Sequence, residues 1–231
     1  MGLDKGLDAT VETPFGTVEY KIGQIAGKEL VFLNRHGHEH ALPPHLVNYR
    51  ANIWALKEAG CTHIVATTAV GSLREEIHRG HLVIIDQFID FTKQRKMTFH
   101  EAYEPHKPVH TPMADPYDSR LRRLLIDECR DLCFPFHERG TVVTIEGPRF
   151  STRAESYMFR ALGADVINMS IATETALANE AGIPYAAVAM STDYDCWRIG
   201  EESVTWEAVL KVFAQNAARV TSLIRGVIPK I

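Results

Sequence analysis

Strand-length apolar runs and amphipathic stretches alternate along most of the chain. ELVFLNRH (29–36) reads as a strand, HLVNYRANIWALKEAG (45–60) as a helix ended by Gly60, and THIVATTAVGS (62–72) as a buried strand running into a glycine turn. HLVIIDQFIDF (81–91) is a further strand, and the His-, Pro- and Lys-rich stretch 92–116 has no sustained period and reads as a long excursion, functional or at a subunit contact. The pattern then gives a helix (117–132), a strand closed by Gly147-Pro148 (140–150), a helix (152–163), a strand (165–170), a helix (172–182), a strand (185–192) and a long closing helix (204–227). Such alternation predicts one α/β domain with helices on both faces of a largely parallel sheet, in which ligands collect outside the carboxyl ends of the strands.

The polar residues gather at those ends. Arg35 and His36 close one predicted strand, Thr67, Thr68, Gly71 and Ser72 another, Glu146 and Arg149 a third, Met169 and Ser170 a fourth, and Asp193 and Asp195 a fifth. Scattered polar loops would not coincide with five strands in this way, so a shared cleft is expected. In AMSTDYDCWR the two aspartates stand two residues apart, and side chains so spaced on an extended segment point to one side. Neighbouring carboxylates repel unless a donor sits between them or one takes up a proton. The competing reading is an exposed loop with two solvated acids.

Composition narrows the partners. The 231 residues are 45% hydrophobic and 23% charged, with a net charge of −4 and no polybasic block, which gives no reason to expect nucleic acid. No apolar run approaches the roughly 18 residues that span a bilayer, and MGLDKGLD lacks the form of a signal peptide, so a soluble intracellular protein is expected. The four cysteines contain no CxxC; Cys129 and Cys133 are expected to share a helix face as packing residues in a reducing compartment.

Three local patterns carry chemistry. NRHGHEH spaces His36, His38 and His40 so that three imidazoles could meet a zinc ion, unless a turn at Gly37 scatters them. Arg35 and His36 could instead hold an anion, with Thr68 and the backbone N–H groups of 69–72 as a neutral cradle. In TIEGPRFSTRAE, Ser151 or Thr152 with Glu155 has the form of a helix capping box, and Phe150 is either core or a stacking surface for a planar ligand. The residues thus describe a small-molecule enzyme that joins an anion to something planar, and no more.

TTAVGSLREEI, TVVTIEGPRFSTRAESYMFR, GADVINMS and AMSTDYDCW, taken in order, resemble the purine nucleoside phosphorylase family, most closely its methylthioadenosine phosphorylase branch, over essentially the whole chain from Thr13. The resemblance implies a single-domain three-layer α/β/α nucleoside phosphorylase-like fold with a central mixed sheet over residues 1–231, in a homotrimer or dimer of trimers. It implies phosphorolysis of 5'-methylthioadenosine to adenine and 5-methylthioribose 1-phosphate in purine and methionine salvage. The enzyme would be a cytoplasmic pentosyltransferase with inorganic phosphate as co-substrate, no metal and no organic cofactor.

By the same resemblance Arg35, His36, Thr68, Ala69 and Ser170 match phosphate-binding positions, Ser170 standing where the family commonly has Thr. Ile145, Phe150 and Ser151 match base-pocket positions, Met169 lies beside the ribose hydroxyls, and His110 reaches a neighbouring subunit's site. Trp206, Val209 and Leu210 match the positions that enclose the alkylthio group, with Trp206 bulkier than the Val expected there. Asp193 and Asp195 become the catalytic pair: Asp193, its pKa raised by burial and by Asp195, protonates N7 of the departing purine, and both accept from a 6-amino group. The start MGLDKGLDATVETPFG is similar to the segment directly after the family's first strand and glycine-rich phosphate loop, so weaker phosphate binding is expected. The remaining readings are a 6-oxopurine or methylthioinosine phosphorylase, a nucleoside-binding protein without activity, and a hydrolase with metal on the three histidines.

Overall fold

The computed structural model describes residues 4–200 and 206–231, apart from the side chains of residues 4, 5, 38, 206–211, 213 and 215. Strands β1 (Asp4–Thr13), β2 (Gly16–Ile25) and β3 (Lys28–Phe32) form a small antiparallel sheet of order β1-β2-β3. It packs through Val18 and its neighbours on Ala51 and Ala55 of helix α1 (Tyr49–Glu58). The predicted strand over 29–36 is therefore shorter than expected and belongs to this separate sheet; Arg35 follows its end and reaches the central sheet through its side chain, which bonds to Thr67 O.

The central sheet contains β4 (Ile64–Ser72), β5 (Leu82–Ile84), β6 (Gln87–Phe91), β7 (Phe136–His137), β8 (Thr141–Ile145), β9 (Val166–Asn168) and β10 (Tyr185–Asp193), in the order β6-β8-β9-β4-β10-β5-β7. It is mixed: four of its six neighbouring strand pairs are parallel, while β9 runs antiparallel to β4 and β5 antiparallel to β10. The single strand predicted over 81–91 is two strands. Only Ile85 and Asp86 separate β5 from β6, yet the two lie toward opposite margins of the sheet, so the sheet curls round until those margins approach. The link is held by Ile85 N–H donating to Ala187 O at 3.1 Å and by Gly140 N–H donating to Asp86 Oδ1 at 3.0 Å.

Alternation along β10 divides the core. Tyr185, Ala187 and Ala189 face α1 and helix α4 (Ile171–Glu180), with Ile53, Leu56, Ile171 and Leu177. Ala186, Val188 and Met190 face helix α2 (Ser119–Asp131) and helix α5 (Trp206–Val227), with Leu121, Leu125 and Leu223. Because β10 carries apolar residues on both faces, its sequence is a continuous apolar run, as strands covered on two sides are. Helix α3 (Arg153–Ala161) seats Phe159 against Val143, Ile167 and Trp197.

Local signals fix the helix ends. Asn48 and Asp118 accept from Ala51 N–H and Leu121 N–H as N-caps, and Thr152 with Glu155 forms the capping box expected from sequence. Gly60, at φ 75°, follows α1 in the left-handed conformation. Cys133 does not share a face with Cys129: it lies past the end of α2 at φ 53° and is exposed, while Cys129 is buried. The excursion 92–116 holds no helix or named strand, and its Phe99 packs beside Phe15 and Trp54.

Candidate active site

A cavity of about 500 Å³ opens over the ends of β4, β9 and β10, and its wall contains Arg35, His36, Thr68, Ala69, Ser170, Ile145, Phe150, Ser151, Met169, Asp193 and Asp195. The resemblance nominated all of these. The sequence spacing, however, gave the wrong reason for the aspartates meeting. Asp193 is the last residue of β10, and Asp195 lies beyond it at φ 48°, so a tight turn and not an extended segment brings both carboxyls to the cavity.

The turn also supplies the donors that two close acids need. Asp193 Oδ1 accepts from the Asp195 N–H at 2.7 Å, and Oδ2 accepts from the Thr192 hydroxyl at 2.7 Å. Burial raises the Asp193 pKa against those two bonds, with the Asp195 charge a smaller contribution in the same direction. Burial likewise raises Asp195. The approach of this turn to β4 demands a glycine: a Cβ at Gly71 would stand 2.9 Å from Asp193 Oδ1 and 3.1 Å from the Ile167 side chain.

Across the cavity Arg35 is held before any ligand arrives. Its Nε donates to Glu174 Oε1 at 2.5 Å, Nη2 to Glu174 Oε2 at 2.9 Å and Nη1 to Thr67 O at 2.8 Å. A guanidinium has five N–H donors, so two remain for an anion. Burial disfavours the Arg35 charge, but Glu174 more than offsets this and lifts the pKa above the ordinary arginine range. Tyr185 donates its hydroxyl to Glu174 Oε2 at 2.8 Å, which fixes the carboxylate in turn. Arg35 and Glu174 also line a second cavity, of about 570 Å³, behind the first.

His36 joins its Nδ1 to Leu42 O at 2.8 Å; since a carbonyl only accepts, the proton sits on Nδ1 and leaves Nε2 as the ring's other polar atom. Burial lowers its pKa. The His36 and His40 rings stack with centroids 4.2 Å apart, Gly37 turns at φ 73°, and the His38 side chain lies outside the described residues. Among the described residues no three His, Cys, Asp or Glu side chains group as metal ligands.

Several nominated residues point elsewhere. Glu146 pairs with Arg95 at 2.8 Å and accepts from Lys93 and Gln94 N–H, anchoring the excursion, and Arg149 pairs with Glu155 at the start of α3. Ser72 is buried, its hydroxyl bonded to Arg74 O. His110 is exposed on the excursion, 6.3 Å from the Tyr103 ring, away from this chain's own cavity. The side chains of Trp206, Val209 and Leu210 lie outside the described residues. Conversely, Glu174 and Asn168 were missed. Asn168 stood inside the quoted GADVINMS, but Glu174 carries no local signal, its partner Arg35 being 139 residues away.

The profile of the Phosphorylase superfamily matches residues 3–229. The chain is 50% identical over 234 residues to S-methyl-5'-thioadenosine phosphorylase of Xenopus tropicalis, covering 99% of this chain and 83% of that one. It superposes with a TM-score of 0.93, at 39% identity, on a mutant adenosine/methylthioadenosine phosphorylase from Schistosoma mansoni in complex with adenine, covering 97% of this chain and 87% of that one. A second mutant of that enzyme, in complex with methylthioadenosine, gives a TM-score of 0.91 at 37% identity, over 99% and 85% of the two chains.

Proposed function

The chain belongs to the phosphorylase superfamily, and from that premise we propose that it cleaves 5'-methylthioadenosine with inorganic phosphate to give adenine and 5-methylthioribose 1-phosphate. The observation that carries the reading is the pairing, in one cavity, of an acid couple, Asp195 buried and Asp193 half-buried, with an arginine whose remaining donors suit an anion.

Phosphate lies against Arg35, His36, Thr68 and Ala69 on β4, and Ser170. The adenine stacks near Phe150 and Ile145, with its imidazole edge and amino group toward Asp193 and Asp195, and Met169 lies beside the ribose. As the C1'–N9 bond breaks, its electron pair moves into the purine and positive charge grows on the ribosyl carbon. Asp193 gives N7 the proton that lets adenine leave neutral. A phosphate oxygen then bonds to C1' from the opposite face, and the anomeric configuration inverts. Two carboxylate acceptors favour a 6-amino purine, whereas a 6-oxo purine offers an acceptor in that place.

The reaction so written uses no metal or organic cofactor. A homotrimer in which His110 enters the neighbouring site, and a cytoplasmic location, complete the proposal; among the described residues no helix is long and apolar enough to cross a membrane. Adenine release from methylthioadenosine should require phosphate and should far exceed base release from methylthioinosine. Release that persists at full rate without phosphate would replace phosphorolysis by hydrolysis.

A further inference from the structure

Behind the cavity wall runs a chain of buried hydrogen bonds whose direction is set at one end. Thr144, Asn168 and Thr68 are 0%, 5% and 7% exposed. Ala172 sits in the first turn of α4, where a backbone N–H lacks a partner within the helix. That N–H donates to Thr144 Oγ1 at 3.1 Å. The Thr144 hydroxyl in turn donates to Asn168 Oδ1 at 2.7 Å. The Ser170 N–H also donates to Asn168 Oδ1, at 3.4 Å. Two donors therefore settle which end of the amide is oxygen, and Nδ2 donates to Thr68 Oγ1 at 3.2 Å.

A hydroxyl that accepts from an amide keeps its hydrogen for another partner. Thr68 gives it to the Ala69 carbonyl at 3.1 Å, on the stretch of β4 that borders the cavity. We propose that Asn168 is a positioning residue that holds the Thr68 hydroxyl in its donor orientation, ready to pass its hydrogen from the Ala69 carbonyl to a bound anion. The inference rests on the phosphate seat proposed above and adds a reason for its order: backbone N–H groups at the start of α4 dictate, through Thr144 and Asn168, the sense of a hydrogen bond made two strands away. Without the amide, Thr68 rotates freely between donor and acceptor roles, and an anion meets a disordered partner.

A double-mutant cycle on the phosphate KM tests this, with the methylthioadenosine KM measured alongside. Asn168→Leu should raise the phosphate KM by about tenfold, the scale of one hydrogen bond to a charged group, and leave the nucleoside KM within about twofold. Thr68→Val should do the same, and the double variant should be no worse than Thr68→Val alone, because Asn168 acts through that hydroxyl. Thr68→Ser should restore phosphate binding only while Asn168 is present. Should Asn168→Leu fold poorly, Thr144→Val cuts the same chain one link earlier and should show the same phosphate-selective loss. Effects that multiply in the double variant would overturn the inference while leaving the phosphate seat intact; an unchanged phosphate KM in Thr68→Val would remove the seat and the inference together.

Discussion

Glu174 grips Arg35 through both carboxylate oxygens, at 2.5 and 2.9 Å, from a helix turn more than a hundred residues further along the chain. The pair is largely buried, with 18% and 8% of the two side chains exposed. Removing one member leaves the other charge without its counter-ion, which typically costs about 3–5 kcal/mol. Glu174→Ala should therefore lower stability by an amount on that scale in denaturant titration, and Glu174→Gln should lose less while still raising the phosphate KM, since one amide oxygen can serve only part of the fork. Equal phosphate KM in wild type and Glu174→Gln would show that the grip does not orient Arg35.

Asp193→Asn keeps the shape of the side chain and removes its proton. Loss of a hydrogen bond to a charged group is worth about 1.5–3 kcal/mol, so kcat/KM for methylthioadenosine should fall roughly tenfold to a hundredfold. Burial raises the Asp193 pKa above the ordinary carboxyl range, and the donating form is lost as pH climbs through that raised value. At saturating phosphate and nucleoside, kcat should thus decline on the alkaline side, and Asp193→Asn should lack that limb. An unaltered pH–rate curve in the variant would assign the proton to another group.

Gly71→Ala adds one methyl where 2.9 Å separates the ideal Cβ position from Asp193 Oδ1. Overpacking of this kind typically costs about 1–3 kcal/mol. The acid turn must shift to admit the methyl, so nucleoside kcat/KM should drop more steeply than the melting temperature, as measured by scanning calorimetry beside steady-state assays. A variant with wild-type kinetics would mean that the turn yields without losing its function.

Acid stability should carry two opposing slopes. The bond from Arg149 and the N–H of Thr152 hold Glu155 at about 2, below its ordinary 4.5, so its contribution is present above about 4.5 and is lost as pH falls toward 2. Asp193 and Asp195 have the reverse sign: their pKa values are raised, so what they contribute is present below the unfolded value of 3.8 and is lost as pH rises through the elevated ones. Urea midpoints measured from pH 3 to 7 should show Glu155→Gln flattening the first slope and Asp193→Asn the second.

Much of this site was legible because polar residues followed apolar strands in sequence, as Thr68 follows IVAT and Asp193 follows YAAVAMST. Legibility ended where the chain is bent or the partner is remote. HLVIIDQFIDF reads as one strand because nothing in its apolar pattern marks the crossing at Ile85 and Asp86, which is dictated by closure of the sheet. ATETALANEAG looks half-solvated, yet Thr173, Glu174 and Thr175 are all buried, with Glu174 paired to a distant segment and Thr175 bonded to the helix backbone. Glu146 and Arg149 misled for the opposite reason: they stand just past the end of a strand but are spent on anchoring a loop and a helix start.

The left-handed backbone at Asp195 bears on how this enzyme can evolve. At φ 48°, aspartate, asparagine and glycine are accommodated with far less strain than branched or bulky side chains. A lineage drifting toward a different nucleobase would therefore exchange oxygen for nitrogen at this position and leave the chain trace alone. Aspartate and asparagine codons differ by one base, which puts the chemically useful replacement among the nearest in mutational distance.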